Sequence, residues 1–367
     1  MKTKKLKIAF FGSSLVSAYW NGAATYYRGI IKALYKRGHQ VTFFEPDAYE
    51  RQKHRDLPDP YWAKVVVYQP DQEGFEKALN MAKEADVIVK ASGVGVLDEE
   101  LEKAVLDLKN GTNQVVFWDV DAPATLDRVI NDPKDHFGSL IPKYDYIFTY
   151  GGGNPVKNAY LKLDARECVP IYNALDSETH YPVPPVEKFV GDLAFLGNRL
   201  PDREKRVEEY FINIAQNLPQ KSFVLGGSGW LDKSLPQNVN YIGHVYTKDH
   251  NAFNCTPKAV LNISRQSMAD YGYSPATRVF EAAGAGACII TDNWKGIDHF
   301  LEPGKEILVA FNGDDIVDIL KDMKGRRSIE IGNAARKKVL AKHTYDHRAK
   351  QLEAILLEQE VSQGIAI

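Results

Sequence analysis

The chain has 367 residues, too many for one typical hydrophobic core and suited to two domains. Lys and Arg total 46 against 48 Asp and Glu, and the pI is near 6.5, so no basic field exists to hold nucleic acid. With 44% hydrophobic and 26% charged residues the composition is that of a globular protein, and no apolar run approaches the ~20 residues of a membrane span.

Met1-Lys-Thr-Lys-Lys is basic, but the apolar segment after it is too short for a secretory signal. Cys168, Cys255 and Cys288 are scattered without metal-ligand spacing and read as reduced thiols of a cytoplasmic protein.

The first half alternates strand and helix signals. Leu6–Phe11 is an apolar run ending in Gly12-Ser13-Ser14, as a buried parallel strand entering a loop does. Tyr27, Ile30, Ile31 and Leu34 then share one helical face, and Lys36-Arg37-Gly38 ends that helix. Further strands are expected at Gln40–Phe44, Val65–Val67, Asp86–Lys90, Gln114–Trp118 and Asp145–Thr149. Leu101, Ala104, Val105 and Leu108 mark another helix. Repeated βα units of this kind make a doubly wound parallel sheet, whose ligands collect at the carboxyl ends of the strands.

Those ends are Gly12-Ser13 with Asn21-Gly22, Ser92–Gly95, Asp119–Pro123 and Tyr150–Asn154. None has the G-x-G-x-x-G pattern, which weighs against a dehydrogenase. Asp119 and Asp121, two residues apart at a strand end, are the catalytic candidates of this half. One could take a proton from an acceptor hydroxyl while the other raises its pKa. The alternative for Asp121 is a helix N-cap. Trp118 beside them could present an apolar face to a sugar ring or be core. His39 and His54 read as surface residues, and no third ligand joins the two aspartates, so no metal is expected.

Prolines cluster in 181–190, a semi-rigid linker between 1–180 and a second βα series at 191–345. Asp192–Leu196 begins that series and runs into Gly197-Asn198-Arg199 and Arg203 at a helix start. Strand, Gly turn and helix with two guanidiniums at the mouth form a phosphate-binding arrangement, with Arg199 favoured over Arg203. The apolar positions Val207, Tyr210, Phe211 and Ile214 lie on one face of the following helix. Later strands are read at Ser222–Leu225, Val239–Ile242 and Lys258–Ser264, and a separate terminal helix and tail at 346–367, with 361–367 a frayed end. His343 and His347, four apart, read as packing and capping rather than a metal pair.

The stretch Arg265–His299 is the most informative. It reads as a polar loop, a helix over Thr277–Ala285 that Thr277 can cap, a Gly-Ala turn and a strand over Ala287–Thr291. The helix start suits an anion such as a diphosphate. Arg278 and Glu281, one turn apart, suit a nucleotide: Arg for phosphate and Glu for the paired ribose hydroxyls. A local Arg278–Glu281 ion pair on a packed helix is the alternative reading.

Arg278-Val-Phe-Glu281-Ala-Ala-Gly-Ala-Gly-Ala, followed by Asp292, Gly296 and Gly304-Lys-Glu306, resembles the donor-nucleotide region of GT-B glycosyltransferases. More narrowly, the chain resembles the CgeB-like (spore maturation protein) branch, also through residues 118–126, 196–203 and 343–349. The resemblance implies two Rossmann-like domains facing a cleft, with the nucleotide on the second. It implies donor contacts at Gly197, Asn198, Arg199, Arg203, Gly227, His244, Val245, Arg265, Tyr273, Ser274, Arg278 and Glu281, and an acceptor side at Gly12, Ser13, Asn21, Gly22 and Trp118. Family-4-like retaining enzymes carry an acid eight positions before the ribose Glu, where this chain has Tyr273.

The expected function is metal-independent transfer of a sugar from a nucleoside diphosphate sugar, UDP-linked, to a glycan, protein or small-molecule acceptor. An epimerase or hydrolase of the same fold, or a non-catalytic sugar-nucleotide or glycan-binding protein, are the alternatives.

Overall fold

A computed structural model describes residues 4–19, 21–132, 134–201 and 203–357. The expected frayed end at 361–367 lies outside the described residues. The chain divides into two compact units, one of residues 1–173 with 345 onward and one of residues 174–344.

The first unit is built on seven strands: β1 Lys7–Phe11, β2 Gln40–Pro46, β3 Lys64–Tyr68, β4 Val87–Ala91, β5 Gln114–Asp119, β6 Tyr146–Thr149 and β7 Cys168–Pro170. Their order is β3-β2-β1-β4-β5-β6-β7, with every neighbouring pair parallel. The continuous apolar runs explain this, because a parallel sheet covered by helices on both faces leaves no strand a polar side. Phe10 stacks on Phe43 and Phe11 on Phe44 across the β1–β2 pair. The strand order reverses between β1 and β4, which is the switch point of a doubly wound sheet.

Helix Ala24–Lys36 covers one face of that sheet and buries Tyr26, Tyr27, Ile30, Ile31 and Leu34. Against it packs helix Tyr345–Leu356 at such close range that a Cβ on Gly29 would lie 2.2 Å from the Tyr345 ring. Arg37 Nε donates to Glu353 Oε2 at 2.7 Å. His39, expected on the surface, is 1% exposed: its Nδ1 accepts the Leu6 N–H at 3.1 Å and its Nε2 faces Glu353. His54 is exposed and stacks on Tyr19.

The second unit has six parallel strands: β8 Leu193–Leu196, β9 Phe223–Gly226, β10 Val239–Gly243, β11 Ala259–Asn262, β12 Ile289–Asp292 and β13 Leu308–Ala310. Their order, β10-β9-β8-β11-β12-β13, puts a second switch point between β8 and β11. Its core gathers Phe195, Phe211, Phe223, Trp230, Leu261 and Ile290 among others. The Pro-rich stretch 181–190 lies inside this unit. Two short strands, β7 and β13, give no sequence signal of their own. The polar loop before Thr277 contains a helix, Gln266–Tyr271.

Among the described residues, no helix is long and apolar enough to cross a membrane, and no group of three or more His, Cys, Asp or Glu could hold a metal ion.

Candidate active site

In the second unit several of the expected donor residues lie on the loops after β8 and β9 and on the helix after β11. The Gly197 N–H donates to Gly226 O (2.9 Å), the Arg199 N–H to Ser228 O (2.9 Å), and the Ser228 N–H to Asn198 Oδ1 (2.9 Å), so the loops after β8 and β9 are zipped together. The fit requires glycine: at Gly227 φ is +116° and a Cβ would lie 2.2 Å from Gly197 O. A Cβ on Gly197 would stand 2.9 Å from Arg203 Nη2.

Phe195 ends this strand's buried face and carries a guanidinium on either account: Arg203 lies 5.7 Å and Arg278 5.8 Å from its ring centroid. Arg203 Nη2 donates to Asn198 O at 2.9 Å. Burial and the neighbouring Arg203 charge push the Arg278 guanidinium down to about 10, with Glu281 opposing. Among the described residues Arg278 has no hydrogen bond and no ion pair within 4.0 Å. The local Arg278–Glu281 ion pair, the alternative reading of this helix, is therefore not formed. Arg199, by contrast, is spent: Nη1 donates to both Asp232 oxygens (2.9 and 3.0 Å) and Nη2 to Glu204 Oε1 at 2.7 Å, holding its pKa above the usual value.

Helix Thr277–Gly284 carries both Arg278 and Glu281. Its N-cap is Ala276 rather than Thr277, with no side-chain cap, which leaves the first-turn N–H groups without that partner. The loop before it is strained: Tyr273 has φ +48°, rare for a residue with a Cβ, and is held by its N–H on Lys295 O at 2.6 Å. Ser274 Oγ donates to Gly272 O at 3.0 Å. Glu281 faces two imidazoles that sequence reasoning missed, because neither lies in a motif. His180 Nε2 is 3.8 Å from Glu281 Oε1, and His250, bonded to Val245 O at 3.2 Å, feels the Glu281 charge. His244 and Arg265 are exposed, and His244 meets Tyr246 edge to face. Also unforeseen is Arg206, which joins the fully buried Asp292 (2.7 Å) to Ser264 O (3.0 Å) and ties the ends of β11 and β12.

In the first unit, Asp119 is 0% exposed. Its Oδ1 accepts from Ser92 Oγ (2.8 Å), the Asp121 N–H (3.0 Å) and Thr125 Oγ1 (3.1 Å), and its Oδ2 accepts the Tyr160 hydroxyl. Burial raises its pKa, while the hydrogen bonds from Tyr160, Asp121, Ser92 and Thr125 pull it down. The expected proton acceptor is thus enclosed, with both oxygens occupied. Asp121 stands at the N-cap of helix Ala122–Asn131, its carbonyl taking the Ala124 and Thr125 N–H groups. Trp118, the expected sugar platform, is core: it is 1% exposed, packs on Phe10 and Phe148, and donates Nε1–H to the Tyr26 hydroxyl at 3.0 Å. Asn21 Nδ2 donates to Ser14 O (2.8 Å) and Ser17 O (3.0 Å), and its Oδ1 accepts from Ser13 Oγ, which ties Asn21 to the loop after β1.

Residues 203–354 match the family model described as Glycosyl transferase-like. No curated protein matches. Among solved structures, the chain is similar to sucrose-phosphate synthase from Thermosynechococcus elongatus, at 14% identity and TM-score 0.67 over 96% of this chain and 99% of that one. It is similar to HepE of Anabaena in complex with UDP-glucose, at 15% identity and TM-score 0.65 over 96% and 100%. An alpha-glucosyltransferase in complex with UDP-glucose and DNA containing an abasic site gives 14% identity and TM-score 0.69 over 96% and 100%. At these identities the structural likeness speaks to fold. The chain has the fold of the GT-B glycosyltransferases, and its residues 203–354 carry the glycosyl transferase-like signature.

Proposed function

We propose that the protein is a cytoplasmic glycosyltransferase of the CgeB-like branch that moves a sugar from a UDP-linked donor to an acceptor without a divalent metal. The observation that carries this reading is Arg278: a desolvated guanidinium with no anionic partner among the described residues, on the same helix as Glu281 and at a strand switch point. A half-buried cation without a counter-charge is costly, and a diphosphate supplies the missing charge. Arg203 and the helix start add donors to the same anion. Glu281, free of Arg278, accepts hydrogen bonds from the ribose hydroxyls. The leaving diphosphate is then neutralised by fixed guanidiniums, which is electrostatic stabilisation of the charge that develops as the glycosidic bond breaks. Asp119 holds the loop between β5 and its helix, and proton acceptance falls to another group or to the departing diphosphate. The family match over 203–354 supports the transferase class, and the UDP-glucose complexes of the similar structures support this choice of donor.

The test is equilibrium titration with UDP, followed by transfer assays with UDP-sugars in EDTA. UDP binding that Glu281→Gln weakens about tenfold or more supports the donor site. Wild-type affinity in a folded Glu281→Gln variant removes the ribose assignment. Activity lost in EDTA and restored by Mg²⁺ or Mn²⁺ removes metal independence. Product formed without any acceptor assigns the protein to hydrolysis or epimerisation instead.

A further inference from the structure

Arg51 sits at the switch point of the first unit. It is 6% exposed, and its Nη1 donates to Ser13 O (3.1 Å), in the loop after β1, and to Val94 O (3.2 Å), in the loop after β4. The guanidinium lies over the Tyr49 ring at 5.0 Å. Its Nε has no hydrogen-bond partner, and among the described residues no carboxylate lies within ion-pair distance. Two phenols of the same region are in the same condition. The hydroxyls of Tyr27 (0% exposed) and Tyr68 (5% exposed) are buried without partners. The Ser13 hydroxyl lies beside that of Tyr27, outside hydrogen-bond geometry, and gives its own proton to Asn21 Oδ1 at 2.9 Å. Arg51 and Tyr27 are close enough to interact electrostatically, and both feel Asp98, as Tyr68 does.

The carboxylates of the neighbourhood are committed elsewhere. Glu45 accepts from Ser14 Oγ (3.0 Å), Gln52 Nε2 (2.6 Å) and the Leu15 N–H (2.6 Å). Asp98 accepts from Lys90 Nζ (2.6 Å) and from the Val94 (3.1 Å) and Gly95 (2.7 Å) N–H groups. Strain gathers here too: Tyr49, Glu50 and Leu97 all have φ +55°. Gly93 faces open space. Buried polar groups without partners are rare and call for a reason, and strained backbone concentrates at functional sites.

Every unpartnered group here can donate, and the guanidinium can do nothing else. An oxygen anion answers all of them, and it also answers the guanidinium's charge. We infer that the switch point of the first unit, around Arg51 and Tyr27, binds an anionic group, phosphate or carboxylate, carried by the sugar acceptor. The assignment to an acceptor rests on the glycosyltransferase reading; the anion subsite itself does not.

The experiment uses the full chain saturated with UDP, so that the second unit's anion site is filled. Glycerol 3-phosphate, glycerate and glycerol are titrated as probes. One of the two anions is expected to bind at least about tenfold more tightly than glycerol, and the stronger arm tells phosphate from carboxylate. Tyr27→Phe and Arg51→Gln each weaken it by about tenfold. Tyr27→Phe melts no lower than wild type, since its hydroxyl has no partner to lose. If Arg51→Gln fails to fold, Tyr27→Phe decides. Anions that bind no better than glycerol, or variants that keep full affinity, overturn the inference, as does a Tyr27→Phe protein of lowered melting temperature. Failure of UDP to bind overturns the donor reading alone. The same titration on Arg278→Gln then gives the same two outcomes for the first unit.

Discussion

The Nε2 atom of His180 lies 3.8 Å from Oε1 of Glu281, and Nδ1 of the same ring lies 2.9 Å from Thr179 Oγ1. The backbone around His180 packs closely on the helix of Glu281, since a Cβ on Gly284 would stand 3.1 Å from His180 O. His180 is thus a positioning residue for the carboxylate proposed to bind ribose, with Thr179 holding its ring. We expect His180→Ala to weaken UDP binding severalfold and His180→Gln, which keeps an N–H near the Nε2 position, to weaken it less. Binding of 2′,3′-dideoxy UDP, which has no hydroxyl pair for Glu281, is expected to be the same in wild type and His180→Ala. An equal loss for both nucleotides would make His180 a packing residue.

Arg278 is expected to act on phosphate alone. Arg278→Gln lowers UDP affinity by about tenfold or more, because a charge-assisted hydrogen bond is worth ~1.5–3 kcal/mol. Uridine, which lacks phosphate, binds both proteins alike. Calorimetric titration of the two ligands checks this, and a parallel loss for uridine would place Arg278 away from the diphosphate.

Asp119 connects Ser92, Thr125 and Tyr160 through one carboxylate. Asp119→Asn replaces an acceptor oxygen with a donor among groups that donate, and should destabilise the protein by about 1–3 kcal/mol. UDP affinity should hold. A variant that melts like wild type while transfer falls by the ~10²–10⁴-fold of a lost general base would restore the catalytic reading.

His39 supplies a pH dependence. Burial lowers its pKa from 6.5, against the opposing charge of Glu353. The unfolded chain takes up a proton there at a higher pH than the folded one does. Stability is therefore present above pH ~6.5 and falls as pH drops below it, until the folded ring also titrates. Thermal melts from pH 7.5 down to 5 should show this slope, and His39→Gln should flatten it. An unchanged slope would assign the acid sensitivity to other groups.

The doubly wound sheets were legible because most strands are apolar runs and most helices carry an apolar stripe, and both signals are local. The helix of Arg278 and Glu281 was legible for the same reason. What the sequence hid is set by long-range packing. Arg199 and Arg203 look alike in the chain, yet Asp232, 33 residues on from Arg199, occupies its fork while Arg203 lies over Phe195. Asp119 resembles an exposed strand-end acid until Tyr160 and Ser92 close over it. His39 looks like a turn residue because Leu6 and Glu353, which enclose it, are distant in sequence. Arg51 carries no motif at all, since its partners are backbone carbonyls of two other loops.

The helix Tyr345–Leu356 belongs to the unit that begins the chain, and it reaches that unit only after residues 174–344 have been made. During synthesis the N-terminal unit emerges first, yet Arg37, His39 and Gly29 wait for Glu353 and Tyr345 to leave the ribosome. Domains usually fold in order of emergence. Here the uninterrupted second unit can be complete before the first, and the side of helix Ala24–Lys36 that carries Gly29 stays uncovered through that interval. A nascent chain stalled before residue 345 would be a natural client for chaperones, and a fragment ending at residue 173 would keep that surface open for good.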